Sequence, residues 1–471
     1  MVHQAFHVPV ARAFERERRN VRFRRAQVAH NGIKDTFATT PSIKYARVLG
    51  HGGMGLVELW NVIKEDGTHD RDIAIKTFKK CEHFMQLSTI PDVSRDDFIN
   101  NEDFDGLPMI VMEVAGRDSL KDLYERINIG IHNNYRVPAV EDKIMHFIPS
   151  RILWRILLCL VRGCIGMAYP PNEDEVSGVD VYREQIMGGP PPRLICHFDI
   201  DCGNTFVNNF DPTADSEHAK FPICKLADYG CMREWDDNWS DDLKYSRSGW
   251  GKYNYKAPEQ LGEHRFLVPG AFGPHTNIWG IGITMHTLMF LDGTFNNQPG
   301  TWASSNLRRG GSILTHGWGL LNHPPPGIGR IDYDLRELVA RCLANGKQQR
   351  PTLEELLEAC TSNIHRGDHA ATQAAANRPT TQAQARPASP LFRDNYVTYR
   401  QQAEMFQHGT QAPTTSSLTQ HSERPPADEP ESDELLQRFV RNYILEPWPA
   451  MDRFEPFWDV PIPSSPTFRG L

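Results

Sequence analysis

The chain has 471 residues, 39% hydrophobic and 23% charged, with a formal net charge of −8. That length holds a large buried core and more than one domain, while a mild acidic balance makes no case for nucleic-acid binding. Its nine cysteines are odd in number and scattered without a C-x-x-C pair. They read as reduced thiols of an intracellular protein, cytoplasmic or nuclear, and not as a disulfide framework or zinc site. The longest apolar run, Ile156 to Val161, is far short of the roughly 20 residues a membrane span needs, so no membrane association is expected.

Residues 1–41 are basic and lack a core pattern, with Arg12, Arg16, Arg18, Arg19, Arg22, Arg24 and Arg25 outweighing Glu15 and Glu17. A disordered N-terminal tail is the expectation; a nuclear address and a transit peptide are the sharper alternatives, the acids counting against the second. From Ile43, alternating apolar residues flank a glycine cluster, Gly50-His51-Gly52-Gly53-Met54-Gly55, and Val57 follows two places on. Alternation on both sides predicts a β-hairpin. Glycines 50, 52 and 55 spell G-x-G-x-x-G, whose bare backbone N–H groups can approach phosphate oxygens, with Val57 set to cover an adenine ring. A dinucleotide fold would need a helix directly after the glycines, and strand–loop–strand context argues against it. A turn at Glu65-Asp66-Gly67 leads to a third strand, Asp72 to Phe78, from which Lys76 emerges among apolar neighbours. Such a lysine can reach α- and β-phosphates; an ordinary surface lysine on an edge strand is the alternative.

Farther on, Ser119 to Tyr124 starts a short helix, and residues 151–168 form a mostly apolar helix of the core despite Arg151, Arg155 and Arg162. Residues 169–193, with Pro-Pro, Gly-Gly and Pro-Pro-Pro, read as a surface insertion. Then comes Cys196-His197-Phe198-Asp199-Ile200-Asp201-Cys202-Gly203-Asn204-Thr205. An acid and an amide at this spacing can share one side of a loop, Asp199 taking a proton from an incoming hydroxyl and Asn204 holding a phosphate-bound metal ion.

The ordered set resembles the eukaryotic protein kinase superfamily. It comprises Gly50/Gly52/Gly55/Val57, Ala74-Ile75-Lys76, Ile110 to Ala115, His197-x-Asp199 with Asn204, and Leu226-Ala227-Asp228-Tyr229-Gly230. Ala257-Pro258-Glu259, Asn277-Ile278-Trp279-Gly280 and Arg350-Pro351 complete it. The spellings H-F-D-I-D and T-N-I-W-G-I-G are similar to divergent kinase-like proteins of filamentous fungi.

The resemblance implies an α+β, bilobal protein kinase-like fold over 42–364, with a β-rich N-lobe (42–115) and a mostly helical C-lobe (116–364). It implies ATP and Mg²⁺ as cofactors, with transfer to Ser or Thr hydroxyls of a protein substrate. Asp199 would be the base and Lys76 the α/β-phosphate ligand. Gly50, Gly52, Gly53, Gly55, Val57, Ala74, Glu113 and Ala115 would surround the nucleotide, and Asn204 and Asp228 would hold metal. It also implies an ion pair between Glu259 and Arg350.

Several residues depart from the pattern. Asp201 stands where the family has a lysine that contacts the transferred phosphate. Phe198 replaces an arginine that reads an activation-segment phosphate, so Ser240, Tyr245, Ser246 and Ser248 lack that reader. Asn277 replaces an acid that accepts backbone N–H bonds, of which an amide oxygen can still accept one. Glu82, the nearest match to the lysine's usual partner, follows Lys76 too closely for the usual loop and helix. A pseudokinase scaffold is therefore the alternative function, and a small-molecule kinase a third. Beyond the domain, 365–432 is rich in Ala, Gln, Thr, Pro and Ser and predicts a disordered linker. In 433–471, Leu435, Leu436, Phe439 and Val440 recur at helical spacing, which fits a free tail, docking on the domain, or docking on a partner.

Overall fold

The computed structural model describes residues 30–31, 33–34, 37, 40–51, 55–78, 109–115, 118–133, 147–171, 183–213, 217–261, 270–295, 298–304, 311–377 and 430–445. The chain divides into two compact units, the first ending at Val114 and the second beginning at Ala115. The architecture is α+β, with a strand-rich first unit and a mostly helical second one.

The first unit is a four-stranded antiparallel sheet in the order β1 (Ile43–His51), β2 (Gly55–Ile63), β3 (His69–Phe78), β4 (Met109–Glu113). The β2–β3 turn falls at Glu65-Asp66-Gly67, where Gly67 takes φ +82° and the Asp66 carboxylate accepts from Thr68 N at 2.8 Å. Strand register sorts the side chains by the two-residue period. Val57 lies opposite Lys76 and Leu59 opposite Ala74, so Val57, Ala74 and Lys76 share one face. The other face carries Leu56, Trp60 and Ile75, which form a core with Val48, Ile33 and Phe37.

That core corrects one expectation. His30, Ile33 and Phe37 fall within the basic stretch predicted to be a disordered tail, yet all three are buried. Phe37 packs on Trp60 (ring centroids 5.1 Å apart), and His30 Nδ1 meets the fully buried Glu58 carboxylate. Burial raises the Glu58 carboxyl above its ordinary value, against the hydrogen bond from His30.

The second unit is built on α2 (Ser150–Ala168), which follows α1 (Leu120–Asn133). Leu153, Ile156, Leu157, Leu160 and Val161 are sealed in the core, as an apolar helix flanked on all sides requires. Two short hairpins follow. In one, β5 (Ile195–Cys196) pairs with β8 (Arg233–Glu234); in the other, β6 (Thr205–Val207) pairs with β7 (Cys224–Leu226). After α3 (Asp241–Ser248) come α4 (Pro274–Phe290), a β9–β10 hairpin (Gly300–Ser304, Gly311–Thr315), α5 (Tyr333–Cys342) and α6 (Leu353–Ala376). Of the insertion at 169–193, only 169–171 and 183–193 are among the described residues.

Helix α6 begins at a capping box, Thr352 with Glu355, and runs to Ala376. The domain end expected at 364 therefore falls inside a helix, and 365–376 is not linker. Apolar burial and charge pairing carry the helix on. Ile364 and Ala371 are buried, and Asp368 accepts from Arg151 and from Arg155 Nη2, the latter at 2.7 Å. The segment from 430 also folds back. Helix α7 (Asp433–Val440) continues into a π-turn over Arg441–Leu445, and Leu436, Phe439, Val440, Tyr443 and Ile444 join the core of the second unit. Glu431 accepts from Ser150 N (2.8 Å) and Arg151 N (2.9 Å), supplying the cap that Pro149 cannot give to α2. Among the described residues, no helix is long and apolar enough to cross a membrane.

Candidate active site

The loop between β5 and β6 is pinned at its start by helix α4. Asn277 Oδ1 accepts from His197 N (2.9 Å), and its Nδ2 donates to Ile195 O (2.7 Å). The amide thus accepts one backbone bond, as expected of it, and adds a donation no carboxylate makes. Gly280 lets the loop sit close, because a Cβ there would lie 2.8 Å from Ile200. Burial lowers the pKa of the His197 imidazole, so the ring is neutral at pH 7. Its Nε2–H donates to Ala227 O (3.0 Å), leaving Nδ1 to accept from Asp199 N (3.3 Å). His197 therefore ties this loop to the segment carrying Asp228.

Asp199 and Asn204 are brought together directly. Asn204 Nδ2 donates to the Asp199 carbonyl oxygen and to Asp199 Oδ2, both at 2.8 Å. With its NH₂ group turned inward, Asn204 has its side-chain oxygen left to serve a cation. Asp199 Oδ1 is buried and accepts no hydrogen bond among the described residues. Asp228 follows Ala227, whose N–H donates to Asn204 O (2.8 Å) across the β6–β7 hairpin. Asp228 holds a left-handed backbone (φ 61°, ψ 59°), a strained state for a non-glycine residue and one that concentrates at functional sites. Burial first, then the Asp199 and Asp228 charges, push the Cys231 thiol up to about 11, so both carboxylates act on one locality. Tyr229 is half-exposed and uses its hydroxyl to donate to Leu226 O (2.8 Å).

Asp201 is not left facing that locality uncompensated. It is buried, its Oδ1 accepts from Gly203 N (2.6 Å) and Asn204 N (3.2 Å), and its Oδ2 pairs with Lys252 Nζ. Lys252 was not picked out by motif reading. The signal available was the acid itself, since a carboxylate placed beside Asp199 requires a cation from elsewhere. Phe198 takes a left-handed φ of 62° and packs on Phe272 (5.7 Å), which in turn meets Trp235 (4.4 Å).

The other candidate residues lie in the first unit. Lys76 is buried at 7% exposure on the face of β3 that it shares with Ala74 and Val57. Gly50 pairs with Val57 near the end of β1, and Gly55 opens β2. Glu113 ends β4 opposite Ile73, and Ala115 opens the second unit. Gly52, Gly53 and Glu82 lie outside the described residues.

Residues 192–360 match the family model of the protein kinase domain. A comparison with curated proteins gave no match. The matched span runs from just before β5 into α6, so it contains the His197–Asn204 loop, Asp228, Glu259 and Arg350, while β1–β4 stand outside it. Over this span the chain is similar to a protein kinase domain, which supports membership of the protein kinase superfamily.

Proposed function

We propose that this protein is an ATP-dependent protein kinase that transfers the γ-phosphoryl group to Ser or Thr hydroxyls of a protein substrate. The observation that carries the reading is the unsatisfied, buried Asp199 Oδ1, beside an Asn204 whose amide is spent on Asp199. A buried carboxylate oxygen without a donor suits an incoming hydroxyl, whose proton it can take. Asn204 and Asp228 fit Mg²⁺, which binds through few protein oxygens and completes its shell with phosphate and water. When bound, the ion supplies neutralisation of the phosphate charge. Lys76, buried on the face it shares with Val57 and Ala74, suits the α- and β-phosphates. The Glu259–Arg350 pair speaks for a protein acceptor and against a small-molecule one, because the resemblance assigns it to the peptide-binding apparatus.

The test is phosphate transfer from radiolabelled Mg·ATP to the chain itself and to added protein, with Asp199→Asn as control. Transfer onto Ser or Thr by the natural protein alone is expected. Equal signals from both would remove the enzyme reading and leave a scaffold.

A further inference from the structure

Transfer of a phosphoryl group needs positive charge next to the group in flight, and the loop that presents Asp199 supplies only acids, Asp199 and Asp201. The cation comes from another segment. Lys252 Nζ contacts Asp201 Oδ2 and stands 4.0 Å from Asp199 Oδ1. We propose that Lys252 is a catalytic residue, its ammonium hydrogen-bonding the γ-phosphoryl oxygens during transfer, with Asp201 as the residue that positions it. This rests on the protein kinase reading above.

Three features support the assignment. The hydroxyl that Asp199 deprotonates must lie about 3 Å from a carboxylate oxygen, and phosphorus bonds to that same hydroxyl oxygen. A flexible lysine head 4.0 Å from Asp199 Oδ1 is within reach of the oxygens on that phosphorus. Second, the pair is asymmetric: the Lys252 side chain is 51% exposed and that of Asp201 only 6%. Asp201 spends both oxygens on two backbone N–H groups and the lysine, whereas an ammonium has three N–H bonds and keeps the rest for phosphate. Third, the mount is built for close approach. Gly251 has φ +89°, and a Cβ there would stand 2.0 Å from the Phe198 carbonyl oxygen. Only glycine lets the chain pass the catalytic loop at this spacing and deliver the next residue, Lys252, to Asp201.

In the step itself the substrate oxygen bonds to the γ-phosphorus as the bond to the ADP oxygen breaks. The electron pair leaves with ADP, the hydroxyl proton passes to Asp199, and Lys252 keeps its proton throughout. The experiment uses the full chain and its Lys252→Met, Asp201→Asn and Asp199→Asn variants. Lys252→Met is expected to lower kcat about a hundredfold, the loss typical of one transition-state donor. Asp201→Asn keeps a cap acceptor and the lysine, and should retain at least about tenfold more activity than Lys252→Met. Binding is measured in parallel with Mg²⁺ and either ADP or a non-hydrolysable ATP analogue. Lys252→Met should weaken the analogue about tenfold and leave ADP unchanged, a loss on the scale of one charge-assisted hydrogen bond. Equal losses of activity and melting temperature in Lys252→Met and Asp201→Asn would mark a structural ion pair and overturn the proposal, as would an unchanged analogue-to-ADP preference. A natural protein that binds nucleotide but transfers nothing overturns the kinase reading instead, and the analogue comparison still decides whether Lys252 meets the γ-phosphate.

Discussion

Arg350 grips Glu259 with both prongs of its guanidinium, Nη1 to Oε1 at 2.8 Å and Nη2 to Oε2 at 2.7 Å. The same side chain donates to His275 O (2.8 Å) and Ala344 O (3.0 Å) and lies over the Trp279 ring, 5.1 Å from its centroid. Trp279 Nε1 donates in turn to Tyr255 O (3.1 Å). One arginine thus joins the segment after Lys252, the start of α4 and the loop before α6. Because the arginine side chain is fully buried, its worth lies in mutual satisfaction and not in net attraction.

Removing one partner should therefore be severe. Arg350→Met leaves a buried carboxylate without its cation and should lower unfolding free energy by about 3–5 kcal/mol in chemical denaturation. The pH dependence has a definite sign. Burial alone would raise the Glu259 carboxyl, but Arg350 brings it below its ordinary value of 4.5. The stabilisation is complete above 4.5 and is lost as pH falls through the lower folded-state value. Glu259→Gln should flatten the acid limb of the stability curve below pH 4.5; an unchanged limb would mean the pair does not form.

The Asn204–Asp199 contact gives a second expectation. Asn204→Ala removes both the tether on Asp199 and the oxygen proposed for Mg²⁺. The Mg²⁺ concentration giving half-maximal transfer should rise about 10–100-fold, the usual loss when a metal-site group is deleted. Melting temperature should stay nearly constant, since a half-buried loop amide is removed and not a core side chain. A variant with normal Mg²⁺ dependence would exclude Asn204 as a ligand.

Much of this site is legible from sequence because its parts are short local patterns. His197, Asp199 and Asn204 fit one loop, and the residues around Asp228 and Glu259 keep recognisable spellings. Asn277 was readable as an acceptor because the resemblance puts it where the family has an accepting acid, and an amide oxygen can still accept. What sequence did not reveal are distant partners that no family motif pairs. Nothing near Asp201 points to Lys252, and nothing near Arg151 and Arg155 points to Asp368. The extension of α6 was hidden by composition: an Ala- and Gln-rich stretch reads as linker, although alanine is the best helix former once a helix is anchored. At the other end, among the described residues of the basic stretch, His30, Ile33 and Phe37 are buried, which its composition did not signal.

The aromatic packing at Phe198 predicts how the segment after Asp228 is controlled. Phe198, Trp235 and Phe272 form an apolar cluster with Cys196 and Ala271, against which Trp239 and Trp250 pack. Apolar burial of this kind can order a segment without a phosphate–arginine pair. Phosphatase-treated protein should keep its activity within about twofold, whereas Trp235→Ala should cost about 3–5 kcal/mol and reduce activity as well. Ser240→Ala should cost only about 1 kcal/mol, as loss of the α3 cap, since Ser240 Oγ accepts from Leu243 N at 3.4 Å. Activity abolished by phosphatase would show that phosphate, and not the cluster, orders the segment.

The returning segment at 430–445 makes the last prediction. Phe439 is fully buried among core residues of the second unit, and Arg126 Nη1 donates to Tyr443 O (3.3 Å). Asp433 binds Arg151 Nη2 at 2.8 Å and also meets Lys220, while Glu431 caps α2. Two kinds of anchoring coincide, apolar burial and charge pairing at the start of the central helix. Phe439→Ala should lower stability by about 3–5 kcal/mol, the range for deleting a buried phenyl ring. Glu431→Gln keeps a carbonyl acceptor but loses the charge opposite the α2 N-terminus, and should cost about 1 kcal/mol. Both are read by the denaturant midpoint of the full chain. A Phe439→Ala midpoint equal to that of the natural protein would mean the segment is not part of the folded core.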